Sequence, residues 1–343
     1  MIGKLKTLAR KAAIPLLYWS GAAGVYQLAA RPRGAVVLMY HSVAPNDHAA
    51  YIDPANRLAP EAFERQMAFL RRHRRVVPLS QVVDQVAAGA SPPAGTVCIT
   101  FDDGYLDNLT VAAPILERHG LPATLFLATG YVGRGESQWS DVLHWMLESR
   151  STDALNLPGD NARMVDLASP SQRTAVRRAL HRALLEATYP ERRQLLDEVA
   201  RQVRPRGSPP RLTLTWDEAR ELVRRYPLFE IGGHTRDHLD LRTHRDERAR
   251  AELEGCAADL RRELRVAPRH FSFPYGRACD STRALALEAG WTSLIAAGHR
   301  MRVDATGGAL AISRGETPAS QNELRFMTSG AYPDLLTHIG LNA

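Results

Sequence analysis

Two adjacent carboxylates, Asp102 and Asp103, stand at the end of the apolar run TVCITF and are followed by Gly104. Where a strand opens into a glycine-bearing loop, neighbouring carboxylates can converge on one site, one binding a metal ion while the other handles a proton. Taken alone, Asp-Asp-Gly is also an ordinary strand-to-helix turn with an aspartate as N-cap. A second segment, Gly232-Gly233-His234-Thr235-Arg236-Asp237-His238, likewise follows an apolar run. Histidines four apart share one face of a helical turn, close enough to hold one ion. The chain has 12 histidines, so such a pair can also arise by chance and remain two exposed polar residues. With Asp103 the two histidines make a His/His/Asp set, which leaves coordination positions open as a catalytic ion requires. Such an ion acidifies water enough for a carboxylate to deprotonate it and polarises a carbonyl, so the implied chemistry is hydrolysis of an amide or ester. Zinc suits the set, and cobalt or nickel fit the same ligands. In a third segment, Phe271-Ser272-Phe273-Pro274-Tyr275-Gly276, a rigid turn can aim the backbone N–H of Tyr275 at a developing oxyanion, or be a simple β-turn closed by glycine.

These residues need elements to position them, and from Gly34 onward strands and helices alternate. AVVLMY (35–40) reads as a strand that ends in His41-Ser42-Val43. Phe63, Met67 and Leu70 have helical spacing within 60–72, and 79–88 reads as a further short helix. TVCITF (96–101), a helix over 106–119 stopped by Gly120, and the strand ATLFLA (123–128) make a βαβ unit, which implies parallel strands with their loop ends gathered on one face. Arginine-rich helical sequence at about 140–211 reads as an insertion and not an independent domain. The alternation resumes with a helix at 216–225, a strand at 228–231, a long helix to Leu264, a strand at 270–273, a helix at 281–289 and a strand at 293–296. The expected architecture is one α/β domain over 34–343 with a helical insert.

Length and composition agree with this. The chain has 343 residues, of which 45% are apolar, enough to fill a large α/β core. The net charge of +7 is an arginine excess and not a basic tail, and no zinc-knuckle or aromatic-basic pattern accompanies it, so nucleic acid is not the expected partner. Cys98, Cys256 and Cys279 are odd in number and scattered, which argues against a disulfide framework and a structural zinc site. At the N-terminus Lys4, Lys6, Arg10 and Lys11 precede an uncharged run, Ala12 to Ala30, closed by Arg31 and Arg33. With Tyr18, Trp19 and Tyr26 in it, residues 1–33 read as an interfacial anchor, which would put the protein peripherally on the cytoplasmic side of the inner membrane. A signal for export to the periplasm, or a buried helix, fits the same residues.

In this order and on these elements, the three segments resemble the polysaccharide deacetylase (NodB-homology) family, carbohydrate esterase family 4. TFDDG matches its first motif, H-T-x-x-H its second and F-x-x-P-Y-G its third, and Gly290-Trp291 before a strand resembles its fourth. The resemblance covers residues 35–315 less the insert. It implies a distorted (β/α) barrel of about seven strands and removal of acetyl from an N-acetylated sugar in a glycan or glycolipid. It also implies Asp102 as base, Asp103, His234 and His238 as metal ligands, the Tyr275 N–H in an oxyanion hole, and Thr235 orienting the second-motif loop. Two departures stand out. The family's third motif carries an arginine that supports the base, and Ser272 stands there, which leaves Arg314 as a candidate replacement. The family's Leu-x-His, source of the general acid, has a formal match at Leu336-Thr337-His338, but His41 in Tyr40-His41-Ser42-Val43 is the better candidate. That segment resembles family members with an N-terminal YHxV, and a barrel closes its first strand beside its last. An O-acetyl esterase, or a glycan-binding protein on an inactive scaffold, would share most of these features.

Overall fold

The runs AVVLMY, TVCITF and ATLFL are buried along their whole lengths but for a half-buried Met39, as parallel strands covered on both faces must be. In the computed structural model, which describes residues 33–157, 164–244, 247–267, 269–297, 302–303, 312–315 and 317–330, they are β1 (Ala35–Tyr40), β2 (Thr96–Phe101) and β3 (Ala123–Leu127). Next come β4 (Phe229–Gly233), β5 (His270–Ser272), β6 (Ser293–Ala297) and β7 (Ile312–Arg314). Among the described residues these seven strands pair in parallel in the order β1 to β7. The ends meet where Met39 N donates to Gly315 O at 3.0 Å and Gly315 N to Val37 O at 3.0 Å, which nearly closes a barrel. The architecture is therefore the distorted (β/α) barrel of seven strands, with helices around it. Arg302–Val303 adds a short antiparallel edge to β1.

Helices form where the apolar spacing requires them. Pro60–His73 buries Phe63, Met67 and Leu70, and the Phe63 ring meets Tyr40 edge-on at 5.3 Å. The helix expected over 106–119 is interrupted. Residues 106–107 are α-helical, Asn108–Ala112 is a π turn, and Ala113–His119 is α-helical again. Pro114, which has no N–H for the helix ladder, lies just after the wider turn, and Gly120 ends the helix in the left-handed region at φ 60°. Gly233 is fixed by close approach: a Cβ there would lie 2.3 Å from the ring of buried Trp291.

The insertion contains α1 (Trp139–Glu148), α2 (Pro170–Glu186) and α3 (Tyr189–Val203), with a two-stranded ribbon of Ala154–Asn156 and Met164–Asp166 between the first two. Leu143, Met146, Leu180, Leu184, Leu196 and Val199 form an apolar cluster that is completed from the barrel side by Ala128, Tyr131 and Tyr275. The insertion is thus joined to the barrel where the third motif lies. Among the described residues no helix is long and apolar enough to cross a membrane. The N-terminal segment, apart from Arg33, and His338 lie outside the described residues.

Candidate metal centre

Parallel strands place their C-terminal ends on one face, and the chemistry-bearing residues follow those ends. His41 follows β1, Asp102 and Asp103 follow β2, His234 follows β4, Ser272 and Tyr275 stand at β5, and Arg314 ends β7. His41, Asp102, Asp103, His234, His238, Tyr275 and Arg314 all line one cavity of about 280 Å³.

Asp103 takes a left-handed backbone at φ 74°, followed by Gly104 at φ 81°, so the two neighbouring carboxylates leave the strand toward the same space. Oδ1 of Asp103 lies 3.1 Å from Nε2 of His238 and 3.6 Å from Nε2 of His234. The ligand atoms of the three residues all fall within 4.8 Å of one another. The histidines do not share a helical turn, as their spacing had suggested. They stand in a loop that turns through left-handed backbone at Thr235 (φ 62°) and His238 (φ 50°). Those conformations are costly for residues with a Cβ and persist where surrounding structure over-determines them. Arg192 of α3, buried, donates to the carbonyls of Asp237 (2.7 Å) and His238 (3.1 Å). Glu252 accepts the N–H groups of Arg236 and Asp237, both at 2.8 Å, and the N–H of Thr129 donates to the carbonyl of Thr235 at 3.0 Å. The Thr235 hydroxyl donates to the His234 carbonyl at 2.6 Å.

The hydrogen bonds also fix which nitrogen faces the cavity. His234 Nδ1 donates to the carbonyl of Ser272 at 2.7 Å, so Nε2 carries the lone pair. The Tyr275 hydroxyl gives its proton to the carbonyl of His238 (3.2 Å) and accepts from Nε1 of Trp139 (3.1 Å). With the hydroxyl proton on that carbonyl, it accepts from Nδ1 of His238 at 2.9 Å, and Nε2 is then the lone-pair nitrogen. Burial brings the His234 imidazole down to about 4, against the pull of Asp102 and Asp103, so it is neutral near pH 7. Burial opposes ionisation of Asp103, but His238, His41 and His234 outweigh it and hold this carboxyl well below the usual range. Two imidazole Nε2 atoms converging with one ionised carboxylate, whose buried Oδ1 has no hydrogen-bond partner, fit a divalent cation.

Asp102 is held differently. Its two oxygens accept from Nη1 (2.7 Å) and Nη2 of Arg314. Nη1 also donates to Thr100 Oγ1 (3.2 Å) and Nη2 to Ser272 Oγ (2.6 Å). Burial raises the Asp102 carboxyl, but the charge of Arg314, with His234, brings it below its ordinary value. His41 lines the cavity with a buried Nδ1 that has no partner, and its carbonyl accepts from Asn108 Nδ2 at 2.8 Å. The Tyr275 backbone is left-handed (φ 59°) within Pro-Tyr-Gly at the cavity wall. Arg192 was not legible in sequence. Its role depends on the insertion folding back onto a loop more than forty residues away, and nothing local marks it.

Residues 89–294 match the family model described as polysaccharide deacetylase. Over 137 residues the chain is 28% identical to YxkH of Bacillus subtilis (strain 168), whose name places it among the polysaccharide deacetylases; that stretch is 38% of this chain and 46% of the relative's length. Among solved structures, IcaB from Ammonifex degensii superposes with a TM-score of 0.55 at 19% identity, covering 88% of this chain and 98% of the other. The Streptococcus pyogenes deacetylase PplD, solved in complex with acetate, gives 0.56 at 18%, covering 87% and 99%. At these identities the two structures speak for a shared fold.

Proposed function

Because the chain belongs to the polysaccharide deacetylase family and so is a carbohydrate deacetylase, a hydrolase of amide bonds, we propose that it removes acetyl from an N-acetylhexosamine of a polysaccharide or lipid-linked glycan. Asp103, His234 and His238 would hold a divalent ion. The observation that carries this reading is the convergence of Asp103 Oδ1 and two histidine Nε2 atoms beside the Arg314-held carboxylate of Asp102. When bound, the ion supplies a Lewis acid for the acetyl carbonyl and acidifies water; zinc suits the set, and cobalt or nickel fit it. Asp102, ionised at neutral pH, accepts the proton of the attacking water. The N–H of Tyr275 offers a hydrogen bond to the oxyanion, and His41 gives a proton to the departing amine. Residues 1–33, with their flanking cations and aromatic rings, would tether the protein peripherally to the cytoplasmic face of the inner membrane, near a lipid-linked substrate.

The test is acetate release from an N-acetylglucosamine tetramer by the zinc-loaded protein, beside its Asp102→Asn variant. The wild type should release acetate, and the variant should keep its zinc but lose turnover. Turnover surviving in D102N would sink the assignment of the base. A wild type that binds the tetramer without releasing acetate would be a glycan-binding protein, and activity confined to acetyl esters would make it an esterase.

A further inference from the structure

Among the residues that line the cavity of the candidate metal ligands without a task in the reaction, Gln138 stands out. Gln138 stands just before α1, where its backbone carbonyl accepts from the N–H groups of Asp141 (3.0 Å) and Val142 (3.1 Å) and starts the helix. The residue lines the cavity and is only 3% exposed, its amide nitrogen and oxygen are both buried, and neither has a hydrogen-bond partner. A buried primary amide with both ends unpaired is costly and unusual in a native protein, and it calls for a partner that arrives. Nearby Asp53 is committed: Oδ1 accepts from the Ala55 N–H (3.0 Å) and Oδ2 from Arg177 (3.0 Å).

We propose that Gln138 is a specificity-determining residue that reads the hexosamine ring, its N–H donating to one ring hydroxyl and its oxygen accepting from the next. This rests on the deacetylase reading above. An amide presents a donor and an acceptor side by side, and adjacent sugar hydroxyls present the complementary pair, whereas a carboxylate or an ammonium group would answer only one half. At about 280 Å³ the cavity is at the lower edge of the roughly 300–1,000 Å³ usual for ligand pockets, so it suits one sugar ring with its acetamide. Since Gln138 opens the insertion, sugar choice is set there while the barrel supplies the hydrolytic groups.

The experiment uses the zinc-loaded full chain, the N-acetylglucosamine tetramer, and Gln138→Met, which keeps the volume and removes both polar atoms. KM should rise roughly tenfold to a hundredfold, with kcat and zinc content unchanged. A KM like that of the wild type would overturn the inference, as would loss of kcat and zinc together, the sign of a purely structural role. If Q138M does not fold, Gln138→Ala takes its place, because the helix start uses the backbone carbonyl of residue 138. Failure of the wild type to release acetate would instead remove the deacetylase reading, and this inference with it.

Discussion

Arg314 and Asp102 form a two-point ion pair, both side chains buried, between the end of β7 and the end of β2. The guanidinium enters from a strand that pairs with β1, which itself pairs with β2. It also donates to Ser272 Oγ at 2.6 Å, so it occupies the surroundings of the position from which an arginine was expected on the third motif. A bidentate, charge-assisted pair fixes the carboxylate plane as well as its charge, as a single lysine cannot.

In the proposed reaction Arg314 acts through Asp102 as a positioning residue. Arg314→Met should lower kcat about a hundredfold or more while zinc stays bound, and should lower stability by roughly 3–5 kcal/mol, the usual result of stripping one partner from a buried ion pair. A lost guanidinium also lets burial raise the Asp102 carboxyl, so the acid limb of the pH–rate profile should move to higher pH. The double variant Ser272→Arg with Arg314→Ser, which returns the guanidinium to β5, should recover part of both losses relative to R314S. A pH profile that stays in place in R314M would separate Arg314 from the base.

What was legible in sequence, and what was not, follows from how each element is stabilised. β1, β2 and β3 are buried on both faces and read as uninterrupted apolar runs. The candidate ligands Asp103, His234 and His238 were legible because TFDDG and H-T-x-x-H are local patterns. β7 has only three residues, its pairing to β1 is a bridge at Gly315, and the contact it makes joins residues 212 positions apart. The i, i+4 spacing of the second motif suggests a helical turn, whereas its left-handed turns are held by Arg192, Glu252 and Thr129, none of them local. Both His41 and Arg314 fall outside residues 89–294, where the family pattern matches, and they belong to the first and last strands, which the barrel seam brings together.

Tyr275 has a side-chain role that the third motif did not suggest. Its hydroxyl ties Nδ1 of His238 to Trp139, the first residue of α1. Partners that orient a metal-bound histidine typically govern metal affinity by 10–100-fold. Tyr275→Phe should thus weaken zinc binding by about tenfold or more, read by competition with a chromogenic chelator. With saturating zinc, turnover should return most of the way, because the backbone N–H of residue 275 is retained. Unchanged zinc affinity would mean that the loop alone orients His238.

A pH-dependent cost should be built into the junction of the insertion with the barrel. Asp141 of α1 is fully buried, accepting from the Tyr105 hydroxyl (2.6 Å) and from the Asp53 N–H (2.9 Å). Burial pushes its carboxyl up to about 7, helped by the charges of Asp103 and Asp53 and partly offset by those two hydrogen bonds. In the unfolded chain the same group ionises near pH 4, so between pH 5 and pH 7 the folded state holds a proton that the unfolded state has lost. Stability from this group is therefore present at low pH and declines as pH rises through about 7. Asp141→Asn stays neutral throughout and keeps an acceptor for the Asp53 N–H. The stability of D141N relative to the wild type should accordingly increase from pH 5 to pH 8, by up to about 3 kcal/mol. Urea unfolding of both proteins at pH 5, 6, 7 and 8 measures that difference, and the titrations shared by the two proteins cancel in it. A difference that stays constant over the range would show that the Asp141 carboxyl is already ionised at pH 5, with its burial charge met by some other group.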